Sequence, residues 1–170
     1  FAHNGNLKDY APSLDGPFRP VGNTDSERAF CFILQSLRVR FGGSPPSREQ
    51  LAEAIRVLAT EIAGFGEFNF MLSNGDFLFV HCSSRMAYVV RKAPFDVAHL
   101  TDQDLSIDFS EVTTPEDRVA VIATTPLTDN ETWTVIPRGT LLLFENGEPV
   151  ALAKSETLAF VDPPKPAATA

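Results

Sequence analysis

Residues 68–82 read Phe-Asn-Phe-Met-Leu-Ser-Asn-Gly-Asp-Phe-Leu-Phe-Val-His-Cys, two apolar runs around a Ser73-Asn74-Gly75-Asp76 break. Asn-Gly between apolar runs is a strong hairpin signal, because both central residues of a tight type I′ turn need positive φ. The runs Phe68–Leu72 and Phe77–Val80 are apolar at nearly every position instead of alternating, the pattern of strands covered on both faces. A short Ser83-Ser84-Arg85 turn then leads into Met-Ala-Tyr-Val-Val-Arg (86–91), so the segment predicts a three-stranded antiparallel meander.

Upstream of these strands the period is helical. Thr24-Asp25-Ser26-Glu27 has the form of a capping box, and Phe30, Ile33, Leu34, Leu37 and Phe41 follow at spacings of three and four up to Gly42-Gly43. Pro45-Pro46, a second capping box from Ser47 to Gln50, and a stripe of Leu51, Ile55, Leu58 and Ile62 predict another helix ending at Gly64. The stretch from Phe1 to Asn23 is dense in turn formers and reads as loop. Downstream, Phe95 to Pro115 is a polar interval. Arg118–Thr124, Trp133–Ile136 and Thr140–Phe144 read as strands, and Asn146-Gly147 makes a second hairpin turn into Pro149–Leu152. Helices followed by a run of strands give an α+β order, with layers of sheet covered by helix. Residues 1–153 form the expected folded portion, and the Pro- and Ala-rich residues 154–170 read as a disordered tail.

Composition narrows the class. A chain of 170 residues that is 44% hydrophobic and 21% charged has the make-up of an ordinary globular domain. At that size a domain removes roughly 70% of its unfolded surface from water, so no disulfide or metal staple is required. Cys31 and Cys82 sit in apolar runs and read as buried free thiols, which points to a reducing, cytoplasmic compartment. Lys plus Arg number 14 against 22 Asp plus Glu, a net charge of −8 that disfavours nucleic acid and anionic lipid as partners. No apolar run approaches the ~20 residues that span a bilayer. The chain opens on Phe1-Ala2-His3-Asn4-Gly5 with neither an initiator Met nor a signal-peptide pattern, so translation is expected to begin upstream.

Candidate chemistry from spacing alone is sparse. His3, His81 and His99 lie far apart, and His81 and Cys82 as strand neighbours point to opposite faces, so no metal site is expected. Asp102 and Asp104 lack the glycine and closing glutamate of a calcium loop and read as acidic surface. Two polar elements remain. Asn4-Gly5 pairs a side-chain amide with a glycine N–H, which is either a plain turn or, if both donors converge on one point, an oxyanion-binding pair. Asp25 stands in the first turn of a helix, where the macrodipole favours a carboxylate; it is either part of the cap or a fixed anion for a substrate ammonium.

His3-Asn4-Gly5-Asn6-Leu7, followed after a loop by Gly22-Asn23-Thr24-Asp25-Ser26-Glu27-Arg28-Ala29-Phe30, resembles the glutamine-binding half of class-II glutamine amidotransferases. Residues 68–83 and 117–150 are similar to a bacterial stand-alone subgroup of that family, and the likeness covers nearly the whole chain before the tail. The resemblance implies an αββα four-layer sandwich of Ntn-hydrolase type and a substrate that is L-glutamine or a γ-glutamyl amide, with no cofactor. It implies that Asn4 donates its side-chain amide and Gly5 its N–H to an oxyanion, and that Gly5 and Asp25 bind substrate, Asp25 by pairing with the α-ammonium. His3, Thr24, Ser26 and Glu27 take supporting roles, Thr24 and Glu27 by capping the helix that positions Asp25.

The family's nucleophile is an N-terminal cysteine activated by its own α-amine. Phe1 stands first here, and neither Cys31 nor Cys82 has that context. The family's upstream arginine and Thr-His segment, which hold the substrate carboxylate, are not in the sequence either. The expectation is therefore the C-terminal portion of an amide hydrolase, inactive as written, with ammonia passing to water or an accepting enzyme in the complete protein. A non-catalytic binding or interaction domain of the same fold is the alternative. A sandwich missing leading strands would leave Phe68–Leu72 or Phe77–Val80 partly uncovered. Poor solubility is the expected outcome for residues 1–170 expressed alone, and a sharp, reversible thermal transition from a monomer would count against it.

Overall fold

The computed structural model describes residues 1–151. Two helices, α1 (Asp25–Phe41) and α2 (Arg48–Ala63), begin where the caps predict. Ser47 and Gln50 form the full reciprocal box: Ser47 Oγ accepts from Gln50 N at 3.2 Å and Gln50 Oε1 accepts from Ser47 N at 2.9 Å. The α1 cap differs from expectation in one half. Thr24 Oγ1 accepts from Glu27 N, but the Glu27 carboxylate takes the amides of Val21 and Gly22 at 2.6 and 2.7 Å instead of reaching back to Thr24. The turn that precedes the helix brings those amides within reach of Glu27, so the carboxylate fastens the entering loop.

Strands β1 (Ala2–Asn4), β2 (Asn69–Ser73), β3 (Leu78–Cys82), β4 (Met86–Lys92), β5 (Val97–His99), β6 (Ser106–Asp108), β7 (Arg118–Ala123), β8 (Thr134–Ile136), β9 (Thr140–Glu145) and β10 (Glu148–Val150) complete the architecture. They form an antiparallel sheet of order β1-β2-β3-β9-β10, a second of order β7-β4-β8, and a β5-β6 pair. The first sheet lies between the helices and the second sheet. Alternate residues of its strands point to opposite sides. Phe70, Leu72, Phe79 and Leu143 pack with Ala29 and Ile33 of α1 and Ile55, Ala59 and Ile62 of α2. Val80, Cys82 and Phe144 pack with Met86 and Ile136 of the second sheet. Both faces are dry, which is why the apolar runs do not alternate.

Several sequence expectations are corrected. The meander does not close: β4 leaves for the second sheet, because β9 occupies the free edge of β3 through pairs from Leu78↔Phe144 to Cys82↔Thr140. The crossing at Ser83–Arg85 is held by Asn69, 2% exposed, whose Oδ1 accepts from Ser83 N and Ser84 N and whose Nδ2 donates to Ser84 Oγ at 2.8 Å. Ala2–Asn4 is an edge strand, not loop, paired from Ala2↔Met71 to Asn4↔Asn69. The loop Asn74–Phe77 is not a two-residue type I′ turn. Only Gly75 has positive φ, and Asn74 Oδ1 accepts from Asp76 N and Phe77 N. Asn146 and Gly147, at φ 51° and 75°, do supply the two positive values that a tight hairpin needs. The interval 95–115 contains β5, β6 and a 3₁₀ turn at Phe109–Glu111, elements too short to announce themselves in a polar stretch. Of the two runs expected to be partly uncovered, Phe70, Phe79 and Val80 are buried, while Met71, Phe77 and Leu78 are half-buried.

The described residues thus form three layers, helix on sheet on sheet, with both helices against the first sheet. The expected boundary at residue 153 and the tail from 154 lie outside the described residues. Cys31 and Cys82 are buried free thiols. No helix among the described residues is long and apolar enough to cross a membrane.

Phe79 is a large core side chain, 1% exposed on the central strand of the first sheet. Phe79→Ala is expected to cost about 3–5 kcal/mol of unfolding free energy. Ser47→Ala, which removes one partner of the capping box, is expected to cost about 1 kcal/mol. Urea denaturation of both variants checks the ranking.

Candidate functional site

Asn4 ends β1 opposite Asn69, and the chain then turns away from the sheet through Gly5. Gly5 has φ +155°, and a Cβ there would overlap the Glu67 carbonyl, so only glycine fits this approach. Two side chains pin the segment from within. His3 Nδ1 lies 2.8 Å from Ser26 Oγ and its Nε2 lies 3.0 Å from the Glu67 carbonyl. A carbonyl only accepts, so Nε2 donates to Glu67, while Nδ1 and the Ser26 hydroxyl share a second hydrogen bond. The imidazole also packs edge-on against Phe68, with ring centroids 5.0 Å apart.

Asp25 holds the other side of the loop. Its Oδ2 accepts from Leu7 N at 2.8 Å and its Oδ1 from Ser26 N at 2.7 Å. Burial pushes the Asp25 carboxyl up, but the Leu7 and Ser26 amides, with His3 nearby, outweigh it and hold the group below the ordinary carboxylate range. The position at the N-terminus of α1 adds a favourable dipole. The motif residues are therefore joined: Asp25 and Ser26 at the helix start clamp His3 and Leu7, on either side of Asn4-Gly5. Asn4 itself is exposed, and among the described residues neither its side-chain amide nor the Gly5 N–H has a hydrogen-bond acceptor. The backbone that carries these two donors is fixed on both sides, while the donors themselves have no protein acceptor among the described residues.

Sequence reasoning missed two contributors. Glu67 offers the backbone carbonyl that fixes both His3 and Gly5, a role no side-chain pattern could announce. Asn69, which sets the strand crossing beside this end of the sheet, did leave a signal, a lone amide inside an apolar run. The two thiols stand apart from this chemistry. Burial raises the pKa of both, and Cys82 Sγ donates to the Ile136 carbonyl at 3.4 Å between the sheets. Among the described residues no three His, Cys, Asp or Glu side chains are grouped as metal ligands.

Comparison with known proteins adds a consistent picture. A profile described as "Glutamine amidotransferases class-II" matches residues 1–167. The chain is 46% identical over 151 residues to a Haemophilus influenzae protein named "Putative glutamine amidotransferase", covering 89% of this chain and 51% of that one. It is 48% identical over 150 residues to the Escherichia coli protein "Putative glutamine amidotransferase YafJ", covering 88% and 59% respectively. A crystal structure titled as a predicted glutamine amidotransferase from Pseudomonas aeruginosa superposes with a TM-score of 0.78 at 48% identity, over 88% of this chain and 58% of that one. The chain thus spans little more than half the length of these relatives.

The clamp has a pH signature. A carboxyl whose pKa is lower in the folded state stabilises the fold above its unfolded value near 3.8, and the contribution is lost as pH falls through the lower folded value. Asp25→Asn is expected to flatten stability against pH in that acid window. At neutral pH it should cost about 1 kcal/mol, a charged hydrogen bond discounted for partial exposure. Amide exchange at Leu7, followed by NMR, should accelerate in the variant while exchange at Phe79 changes far less.

Proposed function

Because the chain belongs to the class-II glutamine amidotransferases, we propose that residues 1–151 carry the oxyanion-binding and substrate-ammonium part of a site that hydrolyses the side-chain amide of glutamine or a γ-glutamyl amide. The observation that carries this reading is the free pair of donors on Asn4 and Gly5, held from both sides by His3–Ser26 and Asp25–Leu7.

In this reading a thiolate from outside the described segment attacks the γ-carbonyl carbon. The π electrons move to oxygen, and the Asn4 amide and Gly5 N–H donate to that oxyanion as it forms. Collapse expels the amide nitrogen, which takes up the proton given up by the thiol and leaves as ammonia, and the glutamyl thioester is then hydrolysed by water to glutamate and free thiol. Donors held in place stabilise charge that develops only in the transition state, which is where binding lowers the barrier. Asp25 spends one lone pair on each of two amides, and each carboxylate oxygen keeps capacity for the substrate α-ammonium. Cys31 and Cys82 are unsuited to the nucleophile role, since burial favours their thiol forms.

The wider expectations belong to the same reading. A fourth, helical layer completing the αββα sandwich would pack on the outer face of the second sheet, where Val119 and Val135 are exposed. The domain would end near residue 153. The protein would act in the cytoplasm, with an accepting enzyme or water as the destination of ammonia.

Glutamate release from L-glutamine by the whole gene product is the direct assay. Asn4→Ala is expected to lower kcat by about 10²–10³ with a smaller change in KM, and Asp25→Ala to raise KM strongly. A gene product that binds glutamine but releases no glutamate would favour a binding domain of the same fold, and unchanged kinetics in either variant would remove that residue from the site.

A further inference from the structure

A cavity of about 450 Å³ lies beneath the C-terminal end of α2, walled by Gly64, Glu67, His81, Ser84 and Arg138 among others. It shares Glu67 with the Gly5 loop, but none of Asn4, Gly5 and Asp25 lines it. Its floor is His81, only 2% exposed. His81 Nδ1 lies 2.7 Å from the Phe68 carbonyl, so that nitrogen carries the proton. Nε2 is then an acceptor, and it has no donor among the described residues. His81 lines the cavity, so that acceptor is open to a donor that enters it, water or a ligand.

Charge is divided across the cavity. The α2 C-terminus contributes partial negative charge, and no basic residue stands in its last turn to neutralise it. The Glu67 carboxylate belongs to the same wall. Arg138 is the cation of the lining; its Nε is fixed by donating to the Ser84 carbonyl at 2.8 Å, which leaves the terminal guanidinium nitrogens for a ligand. A carboxylate alone would leave His81 without a donor, and an amine alone would leave Arg138 without an anion. A small molecule with both groups satisfies the whole lining.

We propose that this cavity is a second binding site, distinct from the Asn4–Gly5–Asp25 site, for a zwitterionic α-amino acid whose ammonium donates to His81 Nε2 and whose carboxylate pairs with Arg138. It goes beyond the amide-hydrolysis reading and does not depend on it.

The test is an NMR titration of the whole gene product, labelled with ¹⁵N at histidine, with L-glutamate as probe and acetate and methylammonium as single-charge controls. L-Glutamate is expected to shift the His81 Nε2 resonance, and the two controls to bind at least tenfold more weakly. His81→Phe, which keeps the ring packed against Phe70, and Arg138→Ala should each weaken L-glutamate binding roughly 10- to 100-fold. Asn4→Ala and Asp25→Ala should leave that affinity within about twofold, the tenfold-per-1.4 kcal/mol scale marking a larger change as real. Binding that survives in Arg138→Ala, an exposed position whose variant keeps its fold, overturns the proposal even if His81→Phe does not fold. So does a loss confined to Asp25→Ala, which would place the amino acid at the other site. Failure here leaves the kinetics of Asn4 and Asp25 untouched, so the two readings fall separately.

Discussion

A strand that is buried on both faces cannot turn a polar side chain to water on either, and β3 is under that constraint. Phe79 faces the helices while Val80 and Cys82 face the second sheet, all at 1% exposure or less. The neighbouring β2 and β9 share the condition, so three layers must form together around them. The proposed site hangs from the end of this sheet. β1 is positioned by its pairing with β2 and by the His3 bonds to Ser26 and Glu67, and Asn4 and Gly5 lie where β1 stops.

The site is built by tension between that edge strand and the start of α1. Asp25 and Ser26 lie in the first turn of the helix, where unsatisfied amides and the dipole gather negative charge. Their side chains reach across to Leu7 and His3, and so fix a glycine-containing turn that would otherwise be free. Each contact is individually modest. Together they fix the backbone that carries the Asn4 and Gly5 donors without using either, as the proposed anion-binding role requires.

What was legible in the sequence follows from whether a signal is local. The α2 capping box, the Asn146-Gly147 turn and the covering of the apolar strands β2 and β3 from both faces are each written in a few adjacent residues, and each is present. The departure of β4 to the second sheet was not legible, because it depends on β9, some sixty residues away, taking the edge of β3. The strand at Ala2–Asn4 was hidden by the turn formers around it and exists through its partner. At Asn74 the same dipeptide that makes a tight turn at Asn146 instead closes a four-residue loop with its side chain, since the amide can cap the backbone in either way. The nearness of Asp25 to the Asn4-Gly5 turn was suggested by motif and resemblance, whereas the Glu67 carbonyl, a backbone group, could emerge only from the fold.

The central claim is that Asn4 and Gly5 jointly receive a negatively charged oxygen. It is tested most directly by the crystal structure of the whole gene product after reaction with a glutamine-analogue electrophile that leaves a tetrahedral oxyanion. The account predicts that oxygen within hydrogen-bonding distance, about 2.7–3.1 Å, of both the Asn4 side-chain nitrogen and the Gly5 amide. An adduct whose oxyanion is held by other donors, with Asn4 and Gly5 facing solvent, would contradict it.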